Sequence, residues 1–78
     1  MAIQRSPVQS TLLSSIGYSP ESVLEVEFKS GAVYRYFAVP RAFYEALLGA
    51  ESLGSYFVQE IRTRFPFERV VPSETSSR

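Results

Sequence analysis

The sequence predicts an α+β domain, a three-stranded antiparallel meander followed by two short helices. Three observations carry that prediction. Val23-Leu24-Glu25-Val26-Glu27-Phe28 alternates apolar and acidic residues, the two-residue period of a half-buried strand. Tyr34-Arg35-Tyr36-Phe37-Ala38-Val39 is a β-rich aromatic run that ends at Pro40, a residue suited to a helix's first turn. Beyond it, Phe43 and Leu47, with Tyr44 and Leu48 beside them, recur at helical rather than strand spacing.

Taken in order, residues 1–10 are polar, carry Pro7 and read as a flexible arm. Leu12, Leu13, Ile16 and Tyr18 make a weak first strand, diluted by Ser14, Ser15 and Gly17. Ser19-Pro20-Glu21-Ser22 is a turn with proline at its second position. The alternating strand follows, then a hairpin at Lys29-Ser30-Gly31 and a returning strand from Ala32 to Phe37. Gly49 is a natural stop for the first helix. Ser52 can cap a second, in which Leu53, Phe57 and Ile61 recur every four residues until Pro66 bars continuation. Phe65, Phe67, Val70 and Val71 supply an extra C-terminal edge strand or an aromatic latch. Residues 11–72 therefore form a single domain, and the Ser/Thr-rich stretch 73–78 a disordered tail.

The hairpin register decides where the tyrosines point. A two-residue loop, Ser30-Gly31, would set Glu27 opposite Tyr34 and Glu25 opposite Tyr36. That register turns the tyrosines to solvent and Arg35 into the core, at the cost of burying a charge. A three-residue loop with Gly31 in a left-handed bulge shifts the pairing by one residue. Val26 then faces Tyr34, Leu24 faces Tyr36, and Glu25 opposes Arg35 on the wet face as a cross-strand ion pair. The second register satisfies both strands at once and is the one the pattern favours.

Composition narrows the function classes. A chain of 78 residues buries only about 60% of its unfolded surface. With no cysteine and no histidine it has neither a disulfide framework nor the usual zinc ligands, so no metal or cofactor is expected. The eight basic and eight acidic residues cancel, so no overall field favours polyanions. Seven of the eight bases are arginine, and all eight acids are glutamate. Without His, Cys or Asp the common general bases and nucleophile pairs are missing, and an enzyme is not expected. No apolar run is long enough to span a membrane and no signal-peptide layout is present, so a soluble cytoplasmic protein is the default.

Two constellations carry binding chemistry. Tyr34 and Tyr36, with Arg35 between them, are core by the favoured register, yet resemble the stacking platforms of RNA-binding sheets. Arg62-Thr63-Arg64-Phe65-Pro66-Phe67-Glu68-Arg69 interleaves arginines with phenylalanines, a pattern that grips phosphates and stacks on unpaired bases. The bland alternative makes Arg62 and Arg64 the solvated end of a helix, near its negative pole. The residues to weigh for nucleic-acid binding are Tyr34, Arg35, Tyr36, Arg41, Arg62, Arg64, Phe65 and Arg69. Ser52-Leu53-Gly54-Ser55 offers free N–H groups to an anion but reads more simply as a cap with a close backbone contact.

The succession Ile16-Gly17-Tyr18, Leu24-Glu25-Val26-Glu27-Phe28, Gly31, Tyr34-Arg35-Tyr36, Val39-Pro40, Leu47, Ser52-Leu53-Gly54-Ser55-Tyr56-Phe57, Ile61-Arg62 and Phe65 resembles the KTSC domain. The resemblance runs from about Ser14 to Val71, and the order and spacing of the motifs make it specific although each is short. That family takes its name from the C-terminus of some lysyl-tRNA synthetases and also occurs as free-standing small bacterial proteins. It implies no catalytic residues. Its Tyr-x-Tyr, here Tyr34 and Tyr36, and its synthetase context imply RNA or tRNA as the partner. Val58 stands where such sequences often carry asparagine, so no side-chain hydrogen bond is expected from that site. The competing expectation is a protein-interaction module or homodimeric adaptor that uses an exposed edge strand or aromatic patch.

Overall fold

The structure is a computed structural model that describes residues 3–70. It is an α+β fold whose sheet has five antiparallel strands rather than three. These are β1 (Ser6–Pro7), β2 (Leu13–Tyr18), β3 (Leu24–Phe28), β4 (Val33–Tyr36) and β5 (Phe67–Val70), and they lie side by side in chain order. Helix α1 (Arg41–Leu48) and the short helix α2 (Leu53–Tyr56) intervene between β4 and β5. The C-terminal edge strand is thus present, with Phe67 paired to Tyr36 and Arg69 to Tyr34. The expected tail, 73–78, lies outside the described residues.

The β3–β4 register is that of the three-residue loop. Leu24 pairs with Tyr36, Glu25 with Arg35 and Val26 with Tyr34. Gly31 takes φ 98°, a conformation that costs glycine nothing and a β-carbon dearly. Its N–H donates to the Phe28 carbonyl at 2.8 Å, and the Phe28 N–H donates to the Ala32 carbonyl at 2.9 Å. One face of the sheet therefore carries Leu13, Ile16, Leu24, Val26 and Tyr36. With Val39, Leu47, Phe57 and Ile61 they make the buried core. Burying each large apolar side chain contributes about 1.5–3 kcal/mol; most of these are aliphatic, with Tyr36 and Phe57 the rings among them.

The second helix keeps its four-residue apolar spacing by an unexpected device. Ser52 caps α2, its hydroxyl accepting from the Ser55 N–H at 3.3 Å, and the chain then widens into a π-helical turn over Phe57–Ile61. The Arg62 N–H donates to the Phe57 carbonyl at 2.9 Å, five residues back. Phe57 and Ile61 both point inward from this turn. Such single turns recur at functional sites, and this one delivers Arg62 to the end of the sheet. At Gly54 the close contact is real: a β-carbon there would stand 3.1 Å from the Leu12 Cβ.

Two expectations need correction. The segment taken for a loose arm is partly structured. Ser6 pairs with Ile16 and Pro7 with Ser15, and the Val8 N–H donates to the Ser14 carbonyl at 3.1 Å. The second correction concerns the wet face. Glu25 is 5% exposed, because Arg5 folds over from the arm. The Glu25 carboxylate lies between Arg5, 2.6 Å away, and Arg35, 2.8 Å away. Pairing on both oxygens is what makes a buried carboxylate tolerable. The arm also explains Gly17: a β-carbon there would stand 2.3 Å from the Gln4 carbonyl oxygen.

Candidate functional site

The helix-bearing face of the sheet is not fully covered. Between the outer part of β3–β5 and the end of the π turn lies an open groove of about 670 Å³. Phe28, Tyr34, Tyr36 and Phe67 line it from the sheet, Phe57, Val58 and Arg62 from the helical side, and Leu12, Thr63 and Phe65 from the flanking loops. The volume falls in the range of small-ligand sites, about 300–1,000 Å³. Half of the lining residues are aromatic, and among the described residues Arg62 is the one charged residue that lines it.

The rings are held against one another rather than free. Phe57, wholly buried, meets Tyr36 edge-to-face at 5.3 Å and Phe28 at 5.6 Å. Phe28 meets Tyr34 edge-to-face at 5.6 Å. Phe67 leans over both tyrosines, 5.7 Å from Tyr34 and 5.5 Å from Tyr36, and is itself 56% exposed. Phe67 was missing from the sequence-derived residue set, although it lies two residues before Arg69 on an alternating strand and so shares its face.

The eight sequence-derived residues do not converge on one place. Tyr34, Tyr36, Arg62 and Phe65 line the groove, and Arg69 lies on the same face opposite Tyr34. Arg35 is on the other face, bound to Glu25. Arg41 pairs with Glu45 at 3.0 Å, and its guanidinium lies 5.9 Å from the Tyr18 ring, away from the groove. Arg64 pairs with Glu60 at 3.1 Å and lies over Phe43 at 5.9 Å. These are surface ion pairs of small energetic value. Among the described residues Arg62 and Arg69 have no carboxylate within salt-bridge distance.

Burial pushes the Tyr36 phenol above the ordinary tyrosine value. Arg62 opposes that rise and the Tyr34 hydroxyl adds to it. The raised value means the folded state holds the Tyr36 proton more tightly than the unfolded chain does. This stabilisation is intact below pH about 10 and is lost as the pH climbs past it. Replacing Arg62 by alanine is expected to move the Tyr36 titration further up, because the opposing cation is gone. Phenolate absorbance against pH, compared with Tyr36→Phe to assign the transition, reads it; an unchanged curve would place Arg62 too far from the phenol to matter.

No cluster of three or more His, Cys, Asp or Glu that could hold a metal occurs among the described residues. No helix there is long and apolar enough to cross a membrane.

The KTSC domain family matches residues 9–65, most of the chain. This chain belongs to that family. A crystal structure of a KTSC domain protein from Yersinia pestis is 34% identical and superposes with a TM-score of 0.86, over 90% of this chain and all of the other. An uncharacterised protein from Stutzerimonas stutzeri is 55% identical over 58 residues, 73% of this chain and 82% of that one. A lysine–tRNA ligase from Trichormus variabilis is 42% identical over 52 residues, 67% of this chain but only 9% of the ligase. The match thus spans all of the crystallised Yersinia chain and most of the Stutzerimonas protein, but only a minor part of the much longer ligase.

Proposed function

We propose that this KTSC domain is a small non-enzymatic, cytoplasmic module that binds RNA or single-stranded nucleic acid weakly, through the aromatic groove. The observation that carries this reading is the pairing of a ring-lined groove with Arg62, its sole charge among the described residues, and Arg69 on the same face. Rings offer stacking surfaces to bases of any sequence, and arginine contacts phosphate. The occurrence of a similar segment in lysine–tRNA ligases supports tRNA among the partners. With no net charge on the chain, long-range attraction is absent and affinity rests on these local contacts.

Binding of a labelled single-stranded RNA, followed by fluorescence anisotropy across salt concentrations, tests the reading. Each phosphate contact contributes a slope of about −0.7 in log affinity against log salt for single strands. Arg62→Ala is expected to weaken binding and flatten that slope by about one such contact. Binding indifferent to both salt and Arg62→Ala would contradict it.

The competing reading, a protein partner or second copy along β5, has one observation in favour: β5 is a sheet edge with an exposed phenylalanine. Its charges weigh against self-pairing. A two-fold antiparallel pairing sets one residue against its own copy, and centring it on Glu68 or Arg69, mid-strand, opposes like charges.

A further inference from the structure

We infer that the groove takes one unstacked nucleobase on the face of Phe67, with Arg62 and Arg69 at the flanking phosphates. The inference rests on the nucleic-acid reading and assigns the stacking role to a residue outside the Tyr-x-Tyr pair.

The tyrosines are poorly placed to stack. Tyr36 is 3% exposed, and its ring stands edge-on to Phe57, so its face is not available without unpacking the core. Tyr34 is half-buried and held edge-on by Phe28. Phe67 differs from both. It sits on the edge strand, over half exposed, tilted 59° to Tyr34 and 42° to Tyr36, so the tyrosines brace the ring from beneath. A braced ring loses little conformational freedom when a planar ligand settles on it, which favours stacking. The bulk of Phe67 left in water is also the largest apolar surface that a ligand here would cover.

Charge selects the ligand class. Among the described residues the groove is lined by no carboxylate, and its one charge, Arg62, is cationic. Arg69 lies two residues along β5 from Phe67, on the same face. A flat apolar ring that shares its groove with Arg62 and its strand face with Arg69 matches a base with a phosphate on either side, and an uncharged apolar peptide would leave both cations without use. A duplex does not meet this geometry, because its bases are stacked inside and only its edges and phosphates are presented.

The test compares a short oligoadenylate with an RNA duplex of the same length, against the wild-type domain, Phe67→Leu and Phe67→Ala. Phe67→Leu keeps an apolar side chain at a surface position, where substitutions change stability little, so fold is preserved. Loss of one stacked base lowers affinity by about 5- to 150-fold. Phe67→Leu and Phe67→Ala are both expected to show that loss for the single strand, and the duplex to bind more weakly than the single strand. Wild-type binding that Phe67→Leu leaves unchanged would overturn the Phe67 assignment while the nucleic-acid reading stands. Duplex binding as tight as single-strand binding would likewise overturn the unstacked-base geometry alone. No wild-type binding of either RNA at millimolar concentration would overturn both.

Discussion

Truncating Phe57 to alanine lowers the stability of this domain by about 3–5 kcal/mol, the range for a fully buried phenylalanine. The side chain has no solvent exposure and joins the sheet to the helices through edge-to-face contacts with Phe28 and Tyr36. Those ring contacts are worth about 0.5–1.5 kcal/mol each beyond area burial, so the upper part of the range applies. Domains of this size hold roughly 0.05–0.15 kcal/mol per residue in total. The loss therefore takes most of the available stability, and the melting temperature falls by more than about 12 °C. Phe57 also forms part of the groove wall. Its truncation disturbs the candidate site from below, and Phe57→Leu, which refills much of the space, restores both stability and groove. Thermal melts of the two variants check this. A Phe57→Ala domain that melts within a few degrees of wild type would contradict the packing described here.

Gly17→Ala is the second large effect, and it acts through the backbone rather than a cavity. Its β-carbon would stand 2.3 Å from the Gln4 carbonyl oxygen, 3.0 Å from the Gln4 carbonyl carbon and 3.0 Å from the Ile3 Cγ2. A main-chain carbonyl cannot rotate away as a long side chain would, so the arm must leave the sheet. With it go the β1 pairing and the Arg5 contact to Glu25. The buried Glu25 carboxylate then keeps Arg35 alone. Breaking one side of a buried ionic cluster costs about 3–5 kcal/mol when the remaining charge stays dry. Water can enter where the arm has left, so the expected loss is smaller, about 2–3 kcal/mol, still a large share of the total. Hydrogen exchange distinguishes this route from general unfolding: the Val8 amide loses protection while the β3–β4 amides retain it. Retained Val8 protection together with wild-type stability would show that the arm tolerates the β-carbon.

The parts of the fold that were legible in the sequence are those fixed by local pattern. Glu25 and Glu27 on one side of β3, the arginine between two tyrosines on β4, and Gly31 at the loop allowed only one register that left no charge facing the core. Phe67 and Val70 beyond Pro66 likewise hinted at β5. The arm was not legible. Ser6–Pro7 has no alternation to read, and Gly17, the residue that receives the arm, looks in sequence like a dilution of β2. For the same reason Glu25 passed for a solvated carboxylate, since Arg5 is twenty residues away in the chain. The π-helical turn was hidden because Leu53, Phe57 and Ile61 keep the spacing of an ordinary helix.

The candidate site was legible in composition but not in geometry. The sequence placed aromatic and arginine residues in two runs, and the fold brings one end of each run to a shared groove. It sends Arg35 to the opposite face and gives Arg41 and Arg64 glutamate partners one helical turn away. Whether a ring serves as core or platform depends on which neighbours stand edge-on to it, and no sequence pattern encodes that. The edge-on contact with Phe57 makes Tyr36 core, whereas the Phe67 ring on β5 is left over half exposed.

Nucleic acid is expected to meet this domain at the groove face. An NMR titration of the isotope-labelled domain with short single-stranded RNA, and separately with tRNA, tests it most directly. Amide shifts are expected only at Tyr34, Arg62 to Phe65 and Phe67 to Arg69, weakening as salt rises, while Glu25, Arg35 and the arm stay still. Shifts centred on the Glu25–Arg35 face, or no shifts with either RNA at high protein concentration, would contradict it.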